Sequence, residues 1–535
     1  MSRSDPPSVA DSGEPPPRAR KRLILAILVL SQLLVWVDNT ILGIALETLA
    51  DPGEGLGATP GELQWAVGGY TLVFATFMFA GGALGDRLGH RTVLVAGLVL
   101  FGGASLWAAY AGGIGQLIAA RAAMGLGSAL VMPATMAILA WTFTGADRLW
   151  ALGVFSASSG VGLTAGPLIA GVLLDRFWWG SVFLINVPVV IGGLLGALTL
   201  VPDFRSGVTR RLDLLGLALS TAGLGVVAYG LIGAGSSSWR LVDVAALIVV
   251  GLLLLAVFVI VESRTVEPSF NPRLFKDGRF LGGHIALGAL FMSLAGHMFY
   301  SALYIQGARG LSPLAAGIAG TPAAVGVMLG APLSPRLVRR WSVGTVTTPA
   351  LTAAAVTFGL FGLLGLHTSL VWYGLVIFVQ GVAIGLVIAP VTSAVLGRLP
   401  LDQAGAGSAV NNAVRQSGGL FGIAFLGAVL SAVYRRGMTE PAAAVPAPVR
   451  EQVLVSAESA RDAATTARLP DLVAAANDSF IHAMRVASGW AMGISLLGAG
   501  ALWITFVRPA RFGAFGKLRA RAGGREAGNS ETVVS

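Results

Sequence analysis

The stretch Gly82-Ala-Leu-Gly-Asp-Arg-Leu-Gly-His-Arg91 decides the fold class, because it separates two long apolar runs. These runs extend over about 63–84 and 92–111. Each has the roughly 20 apolar residues that a helix needs to cross a bilayer core about 30 Å thick. Gly82 and Gly89 permit a tight turn, and the charged side chains between the runs can form charge-assisted hydrogen bonds to neighbouring helix ends. The stretch therefore predicts two membrane helices joined by a short, charged loop.

The composition extends this conclusion to the whole chain. Of its 535 residues, 55% are hydrophobic and 12% are charged, and the mean hydropathy is +0.77. A soluble protein carries about 25% charged residues. The 73 glycines suit helices that pack closely in lipid. We therefore predict an all-α integral membrane protein. Because the chain has no cysteine, disulfides, thiolate metal sites and cysteine nucleophiles are excluded.

Fourteen apolar runs follow one another along the chain, each long enough to span a membrane. They lie at about 23–46, 63–84, 92–111, 114–139, 149–173, 181–202, 212–234, 241–262, 280–306, 312–333, 343–365, 370–394, 409–432 and 484–507. The first run follows the basic stretch 18–22 and continues to Ala45 without a small-residue cleavage site. It therefore predicts a membrane helix rather than a signal peptide.

The distribution of basic residues predicts the orientation. The net charge of +10 arises mainly from short loops and tails on one side of the membrane, which is the pattern of an orientation signal and not of a nucleic-acid surface. Both termini are accordingly expected in the cytoplasm. The single long outer segment, about 433–482, is rich in Ala and Pro with mixed charges. The segment could form a short amphipathic hairpin over the outer mouth or remain disordered, and we expect some helix there.

A degraded copy of the first loop, Ala331-Pro-Leu-Ser-Pro-Arg-Leu-Val-Arg-Arg340, follows the tenth run. Two six-helix halves with an extra helix pair between them account for this spacing, and repeated halves around a central cavity are typical of secondary transporters. The predicted division is a basic tail 1–22, a bundle 23–202, an extra pair with its flanking loops 203–279, a second bundle 280–507 that contains the outer segment, and a basic tail 508–535.

Two charged residues lie inside predicted membrane helices. Asp38 interrupts the first run and Arg121 the fourth, and an intramembrane carboxylate costs about 2.5–3.5 kcal/mol on insertion scales, so it indicates a function or a partner. At about 1.5 Å per residue, both residues lie roughly 10–12 Å below the outer ends of their helices. This matching depth permits an ion pair if the two helices are neighbours. A purely structural salt bridge is the alternative to a coupling role.

Three stretches of the sequence carry a family resemblance. The loop 82–91 is similar to G-x-L-a-D-R-x-G-r-[KR], the stretch 37–46 to D-x-T-I-V-N-V-A-L-P, and the stretch 162–171 to G-x-x-x-G-P-x-x-G-G. With the arginine motif 117–127, they resemble the fourteen-helix drug:proton antiporter branch of the major facilitator superfamily. The stretches 178–188, 385–390 and 407–419 resemble further patterns of that branch. Glu47 stands where the family usually has Pro, and Pro335 stands where the second loop would have Asp.

The resemblance implies a major facilitator fold with two six-helix bundles and two extra central transmembrane helices. It also implies a proton-coupled antiporter that exports amphipathic or lipophilic drug-like compounds by alternating access across the bacterial cytoplasmic membrane. Protons would be the coupling ion, with no other cofactor, no metal, no nucleic-acid partner and no enzymatic activity, and the chain would be a monomer in the lipid bilayer. A sequence without a Walker pattern agrees with this.

Four groups of candidate site residues result. They are Asp38 and Arg121 for proton coupling; Gly82, Asp86, Arg87, Gly89 and Arg91 for the inner signature loop; Gly162, Gly166, Pro167 and Gly171 for the antiporter motif; and Asn39, His297, Tyr300, Asn411, Asn412 and Arg415 for the cavity or substrate. Because the tenth to twelfth runs contain no acidic residue, a cationic cargo is expected to be monovalent.

Two alternatives stay open from the sequence. The same fold serves exporters of a single metabolite or antibiotic, which would show a narrow transport profile. It also serves lipid-handling or non-transporting membrane proteins, because one fold hosts many functions.

Overall fold

A computed structural model gives the structure of residues 18–143, 145–202, 213–234, 239–265, 272–397, 404–443, 445–467 and 469–508. Seventeen α-helices form this part of the chain. They are α1 Arg18–Ala50, α2 Pro60–Leu88, α3 His90–Ala109, α4 Ile114–Thr142, α5 Gly145–Arg176, α6 Ser181–Leu184, α7 Asn186–Leu200, α8 Leu214–Ala234, α9 Leu241–Arg264, α10 Gly278–Ala302, α11 Pro313–Arg340, α12 Val343–Phe361, α13 Leu370–Leu396, α14 Ala404–Ala443, α15 Ala447–Val455, α16 Ala457–Ala467 and α17 Pro470–Leu502.

A helix lies at each of the fourteen predicted runs. The sixth run is divided into α6 and α7 at Ile185, and the ninth and fourteenth runs end in π-helical turns at Leu303–Ala308 and Trp503–Val507. In the described part of the chain, twelve helices are long and apolar enough to cross a membrane, or thirteen when the two parts of α2 count as one span. The helix α5 has 32 residues and lies at the fifth predicted run. The prediction of an all-helical membrane fold is confirmed. Most of the two basic tails lies outside the described residues.

Local sequence fixes where several of these helices begin. At the start of α2, the Thr59 side chain accepts from the Glu62 amide at 3.4 Å, and the Glu62 carboxylate accepts from the Thr59 amide at 2.8 Å. This reciprocal capping satisfies two backbone donors that a helix start leaves open. Ser312 caps α11 in the same position before Pro313, a residue that suits the first turn because it has no amide hydrogen to lose.

The helices pack as two similar bundles, which supports the repeat seen in the sequence. In the first bundle α2 packs on α4, α1 on α5 and α7, and α3 on α4 and α7. In the second, α11 packs on α13, α10 on α14 and α17, and α12 on α13 and α17. Each pair in one bundle therefore has its counterpart in the other. The halves meet mainly where α5 packs on α11 and α2 on α14.

The extra pair α8–α9 lies at the side of this core. The two helices pack on each other, and α8 also contacts α2 and α14. The most apolar window of α9 has a mean hydropathy of 3.4, and only 11% of it is buried. A helix that is apolar all round and yet exposed requires a hydrocarbon environment, so α9 faces lipid over most of its surface.

The long outer segment forms helices, as predicted. Beyond the membrane part of α14, the chain continues into α15 and α16, which we call the outer cap (447–467), and then enters α17. The Tyr434 hydroxyl holds the cap to α14 through the carbonyls of Val453 and Ser456, at 3.1 and 3.0 Å. Residues 444 and 468 of the predicted segment lie outside the described residues.

The two bundles are closed against each other at the end that carries the outer cap, which we call the outer end. A Cβ at Gly317 of α11 would lie 2.5 Å from the Pro167 carbonyl oxygen of α5, and a Cβ at Gly171 would lie 2.7 Å from the Leu314 backbone. The small residues thus permit direct backbone contact between the halves. This contact leaves no passage between α5 and α11 at that point.

Polar contacts close the same end. The Gln306 amide donates to the Ile44 carbonyl at 2.8 Å, and the Arg461 guanidinium of the cap lies 3.0 Å from the Glu47 carboxylate of α1. The cap is therefore tied by charge to the first bundle, although it belongs to the second in sequence. Glu47, a departure from the family pattern, has a structural explanation in this ion pair.

Candidate functional site

The predicted ion pair between Asp38 and Arg121 is present. The Arg121 Nη1 donates to the Asp38 Oδ2 at 2.6 Å, and both residues have no exposed surface. The helices α1 and α4 are neighbours at this depth. A charge-assisted hydrogen bond of this kind is stronger than a neutral one, and burial makes each charge depend on the other. The role of this pair in coupling stays a prediction.

Further groups complete the environment of the pair. The Asn186 amide nitrogen lies 3.2 Å from Asp38 Oδ1 and 3.4 Å from the Ser105 hydroxyl, and Arg121 Nε donates to the Ala66 carbonyl at 3.2 Å. The Arg121 guanidinium also lies over the Tyr70 ring, 4.4 Å from its centroid. We call Asp38, Arg121 and Asn186 the polar core.

Asn186 and Tyr70 were not among the candidate residues from the sequence. Asn186 is a polar residue of the stretch 178–188, which resembles a family pattern in the sequence. Nothing in the sequence indicated that its amide would reach α1, since the contact spans 148 positions of the chain.

The antiporter motif on α5 lies directly against the helix that carries Asp38. A Cβ at Gly162 would lie 2.6 Å from the Trp36 side chain, and one at Gly166 would overlap the Thr40 hydroxyl. That hydroxyl donates within α1 to the Trp36 carbonyl at 3.1 Å. Since α5 also contacts α11 through Pro167, it connects the polar core to the interface between the halves.

The signature loop 82–91 joins inner helix ends of the first bundle. Arg91 donates to the Leu198 carbonyl of α7 at 2.7 Å, and His90 lies 3.4 Å from the Asp86 carboxylate one turn earlier. Arg87 is exposed in the last turn of α2, where a positive charge favours the negative end of the helix dipole. The expected link between this loop and a neighbouring helix end is therefore present for Arg91.

The expectation of a turn at Gly82 was wrong. Helix α2 continues through Gly82 to Leu88, and the turn occurs at Gly89, whose φ of 98° is the left-handed value that favours glycine. A Cβ at Gly82 would lie 3.9 Å from Pro133, which is ordinary contact. One glycine of the loop is sufficient for the turn, because only one residue leaves the helical conformation.

A central cavity of about 130 Å³ lies between α1, α2, α10 and α14. Its walls are mostly apolar, and its polar and aromatic lining includes Trp36, Asn39, Phe291, Asn412, Arg415 and Gln416. Three of the predicted cavity residues, Asn39, Asn412 and Arg415, are therefore at the cavity. Trp36 and Gln416 were not predicted, although Gln416 directly follows Arg415 in the polar stretch of α14.

The other three predicted cavity residues lie elsewhere. His297 is buried among the aromatic rings of Phe358 and Phe361, and its Nδ1 lies 3.3 Å from the Tyr300 hydroxyl. Tyr300 in turn accepts from Ser488 of α17 at 3.2 Å. His297 and Tyr300 face the interior of the second bundle. The opposite face of α10 lines the cavity. Asn411 is buried and is not part of the lining.

A larger cavity of about 660 Å³ lies to the side, toward the end opposite the outer cap. Its walls come from α2, α4, α8, α9, α10 and α14, and they are almost entirely apolar. Asp213 and Glu262 are its acidic lining residues, at the inner ends of α8 and α9. We call this the lateral cavity, and α8–α9 form its lipid-facing wall.

Comparison with known proteins agrees with this architecture. A family model described as "Major Facilitator Superfamily" matches residues 28–214 and 205–423. Puromycin resistance protein pur8 of Streptomyces alboniger is 31% identical over 91% of this chain and 92% of its own. Multidrug efflux pump LfrA of Mycolicibacterium smegmatis is 31% identical over 88% and 91% of the two chains. Methyl viologen resistance protein SmvA of Salmonella typhimurium is 31% identical over 92% and 99%.

Solved structures show the same fold at low sequence identity. A bacterial homologue of the human lysosomal transporter Spinster, described as inward-facing and unoccupied, superposes with a TM-score of 0.63 over 92% of this chain and 99% of its own, at 15% identity. A peptide transporter bound to sulfate superposes with a TM-score of 0.62 over 91% and 95%.

Proposed function

The chain belongs to the Major Facilitator Superfamily, and on this basis we propose that it is a proton-coupled antiporter that exports amphipathic, drug-like molecules from the cell. It would act in the bacterial cytoplasmic membrane as a monomer with both termini inside. Relatives named for multidrug efflux and for resistance to puromycin and methyl viologen support the export of small molecules. No catalytic step is part of this function.

The observation that carries the proposal is the buried pair of Asp38 and Arg121. A carboxylate held by one guanidinium and one amide in the membrane interior is stable as an anion only while these donors stay in place. Protonation of Asp38 neutralises it and leaves the Arg121 charge without its partner. Two protonation states of the polar core therefore favour two arrangements of the surrounding helices, and this is the requirement for coupling a proton to a conformational change.

The path from the polar core to the bundle interface follows α1 and α5. Thr40 is two residues beyond Asp38 and packs on Gly166, and the next residue of α5, Pro167, contacts Gly317 in the second bundle. A shift of α1 on protonation would move α5 against α11, because no side chain separates the backbones there. The closed outer end of this structure corresponds to the state with the ion pair formed.

The cavities suit lipophilic cargo. Molecules dissolved in the inner leaflet can reach the lateral cavity past α8 and α9, whose outer faces contact lipid. The central cavity lies on the neighbouring face of α14, between the bundles. Rocking of the bundles about this point would expose it to the outer side, as in other repeat-built transporters.

The test uses purified protein in liposomes with an imposed pH gradient. We would follow a panel of lipophilic dyes that includes a cation, a zwitterion and an anion, and compare the native chain with Asp38→Asn. Gradient-driven movement of at least one dye is expected for the native chain and is expected to fall to background in Asp38→Asn. Glu54→Gln is the matched control, since Glu54 is an exposed carboxylate on the link 51–59. Its transport should equal that of the native chain.

Two results would contradict the proposal. If no dye of any charge moves with the gradient, the antiport function itself fails. If Asp38→Asn still couples movement to the gradient, Asp38 is not the proton-binding group.

A narrow cargo range is the second candidate, and a specific finding favours it. Several relatives are named for one compound, including the tetracenomycin C resistance and export protein of Streptomyces glaucescens, which is 28% identical over 80% of this chain. Movement of one dye class alone, unaffected by competing dyes of the other classes, would support this candidate.

A further inference from the structure

The central cavity contains an arginine without an acidic partner. The Arg415 guanidinium lies 4.4 Å from the centroid of the Phe291 ring and 5.8 Å from that of Trp36. Among the residues that the structure describes, no carboxylate forms an ion pair with it. Aromatic faces attract a guanidinium but do not neutralise it, so the positive charge of Arg415 has no counter-charge from the described residues.

The other unsatisfied groups at this cavity are donors as well. In the described part of the chain, the Arg415 Nε, the Trp36 Nε1 and the Gln416 Nε2 are buried and have no hydrogen-bond partner. Buried polar groups are almost always paired, and leaving one unpaired costs about 1–3 kcal/mol. Three open donors on neighbouring lining residues therefore indicate a ligand that brings acceptors.

The lining contains no carboxylate that could neutralise a cation. No Asp or Glu is among the residues that line the central cavity. Asp38 directly precedes the lining residue Asn39, but it is fully buried and is held by Arg121 and Asn186. The acidic lining residues Asp213 and Glu262 belong to the lateral cavity. A positively charged group in the central cavity would thus meet Arg415 with no charge to offset the repulsion.

From these contacts we infer that the central cavity binds the carboxylate, or an equivalent anionic group, of an amphipathic aromatic cargo. The anionic group accepts from Arg415 and the neighbouring donors, and the aromatic part packs on Phe291 and Trp36. This inference rests on the proposed export function and names the cargo class. The expectation from the sequence, that a cationic cargo is monovalent, does not apply to an anionic group.

The pairing explains the energetics of binding. A carboxylate that enters the membrane interior alone loses its hydration, and so does the unpaired Arg415. When the two meet, each supplies the partner that the other lacks, in a geometry that a guanidinium fork suits well. The cargo therefore supplies the counter-charge that Arg415 does not receive from the described residues.

Binding of three matched probes tests the inference directly. Dansylglycine, its uncharged amide and a dansyl compound with an ammonium tail share one fluorophore and differ only in the charge of the tail. Each would be titrated against the native protein in nanodiscs of phosphatidylcholine, which contains no anionic lipid to compete. We expect the carboxylate probe to bind about tenfold or more tightly than the amide, as one charge-assisted hydrogen bond would give, and the ammonium probe to bind most weakly.

Two variants attribute this preference to the arginine. Arg415→Gln is expected to bind the carboxylate and amide probes equally, and Arg415→Lys to retain part of the preference, because it keeps the charge but loses the fork. Arg436→Gln is the matched control, since Arg436 is an exposed arginine of the same helix outside the lining. It should bind the probes as the native protein does.

Three contrary outcomes need only the native protein, and a fourth needs the Arg415→Gln variant. Equal binding of the three probes by the native protein, tighter binding of the ammonium probe, or no saturable binding of the carboxylate probe would overturn the inference. So would a preference that persists in Arg415→Gln. These outcomes leave the proposed function intact, provided that at least one dye moves with the pH gradient. If no dye moves with the gradient but the carboxylate probe is still preferred, the inference about binding stands and the proposed antiport function fails.

Discussion

The polar core and the central cavity each contain a membrane-embedded arginine, and the two arginines have opposite surroundings. Arg121 has no exposed surface and donates to a carboxylate and a carbonyl. Arg415 borders a cavity and lies between two aromatic rings, with its Nε unpartnered among the described residues. A fully buried ion pair has no room for a cargo molecule, but its carboxylate can still bind and release a proton. An unpaired arginine beside a cavity suits a cargo group that supplies the missing charge.

The largest effect is expected when the pairing at the polar core is broken from the arginine side. Arg121→Met leaves Asp38 as a buried carboxylate without its counter-charge, which costs about 3–5 kcal/mol. Adding Asp38→Asn removes that charge and should restore most of the lost stability, while coupled transport stays absent. Thermal unfolding in one detergent, followed by tryptophan fluorescence, measures all three proteins.

The same measurement on Arg415→Met is the contrast. This variant removes a charge that has no acidic partner among the described residues, so its stability should equal or exceed that of the native chain. If Arg121→Met and Arg415→Met destabilise the protein equally, the difference between the two arginines is not one of pairing.

A smaller effect is expected where α5 meets α1. Gly166→Ala adds a Cβ that would overlap the Thr40 hydroxyl, and such overpacking costs about 1–3 kcal/mol. We expect slower gradient-driven transport, because α5 links the polar core to α11, with no change in the charge preference of the central cavity. Transport rates and dansyl binding on the same preparation separate the two effects.

Gly320→Ala is the matched control on α11, since a Cβ there meets nothing within 4 Å. Its transport rate should be close to that of the native chain. A Gly166→Ala variant that transports as fast as Gly320→Ala would show that close packing at Thr40 is not needed for the motion.

The outer cap offers a third charged site, partly exposed, where pH has a modest effect. Burial raises the pKa of Glu458 to about 9, and the nearby Glu47 carboxylate adds to this, while Arg461 opposes it and Asp462 and Asp51 raise it further. The folded cap therefore binds a proton that the detached cap releases above its ordinary pKa of 4.5. Its attachment is strongest below that value and weakens as pH rises through 9.

Cysteine labelling can measure how the attachment of the outer cap changes with pH, because the native chain has no cysteine. Ala464→Cys places a thiol at a buried cap position, and Gln452→Cys places one at an exposed position. The labelling rate at the buried position is divided by the rate at the exposed position. This ratio cancels the pH dependence of the thiol reaction. It should rise between pH 6 and 9 in the native background and stay flat with Glu458→Gln. A rise of equal size in both backgrounds would assign the pH dependence to another group.

The depth of a residue in the membrane was predictable from the sequence. The direction in which its side chain points from the helix axis was not. Asp38 and Arg121 were placed at the same depth by counting residues along helices of fixed rise, and the structure pairs them. His297 is a predicted cavity residue. It faces the aromatic interior of the second bundle instead of the cavity. Counting gives the position along a helix axis, whereas the rotation about that axis depends on which helices pack around it.

In the candidate site, too, the sequence indicated which residues are polar, and only the structure showed their partners. Arg415 and Asn412 lie in the polar stretch 407–419 and are predicted cavity residues, and both line the cavity. That Arg415 lacks an acidic partner could not be known, because the answer depends on every helix that surrounds it. Asn186 escaped notice for the related reason that its partner is 148 positions away.

The sequence by itself determined the membrane helices, their order, the repeat and the presence of a buried carboxylate and arginine at one depth. Each of these depends on hydropathy and spacing along the chain, which the bilayer thickness and the helix rise convert into structure. Only the tertiary structure decided which charges meet and which stay open, that the cap binds the first bundle through Glu47, and that the central cavity presents donors without a carboxylate. Those features depend on contacts between helices that are distant in sequence, and in lipid such contacts are selected by close packing and polar pairing rather than by any pattern within one helix.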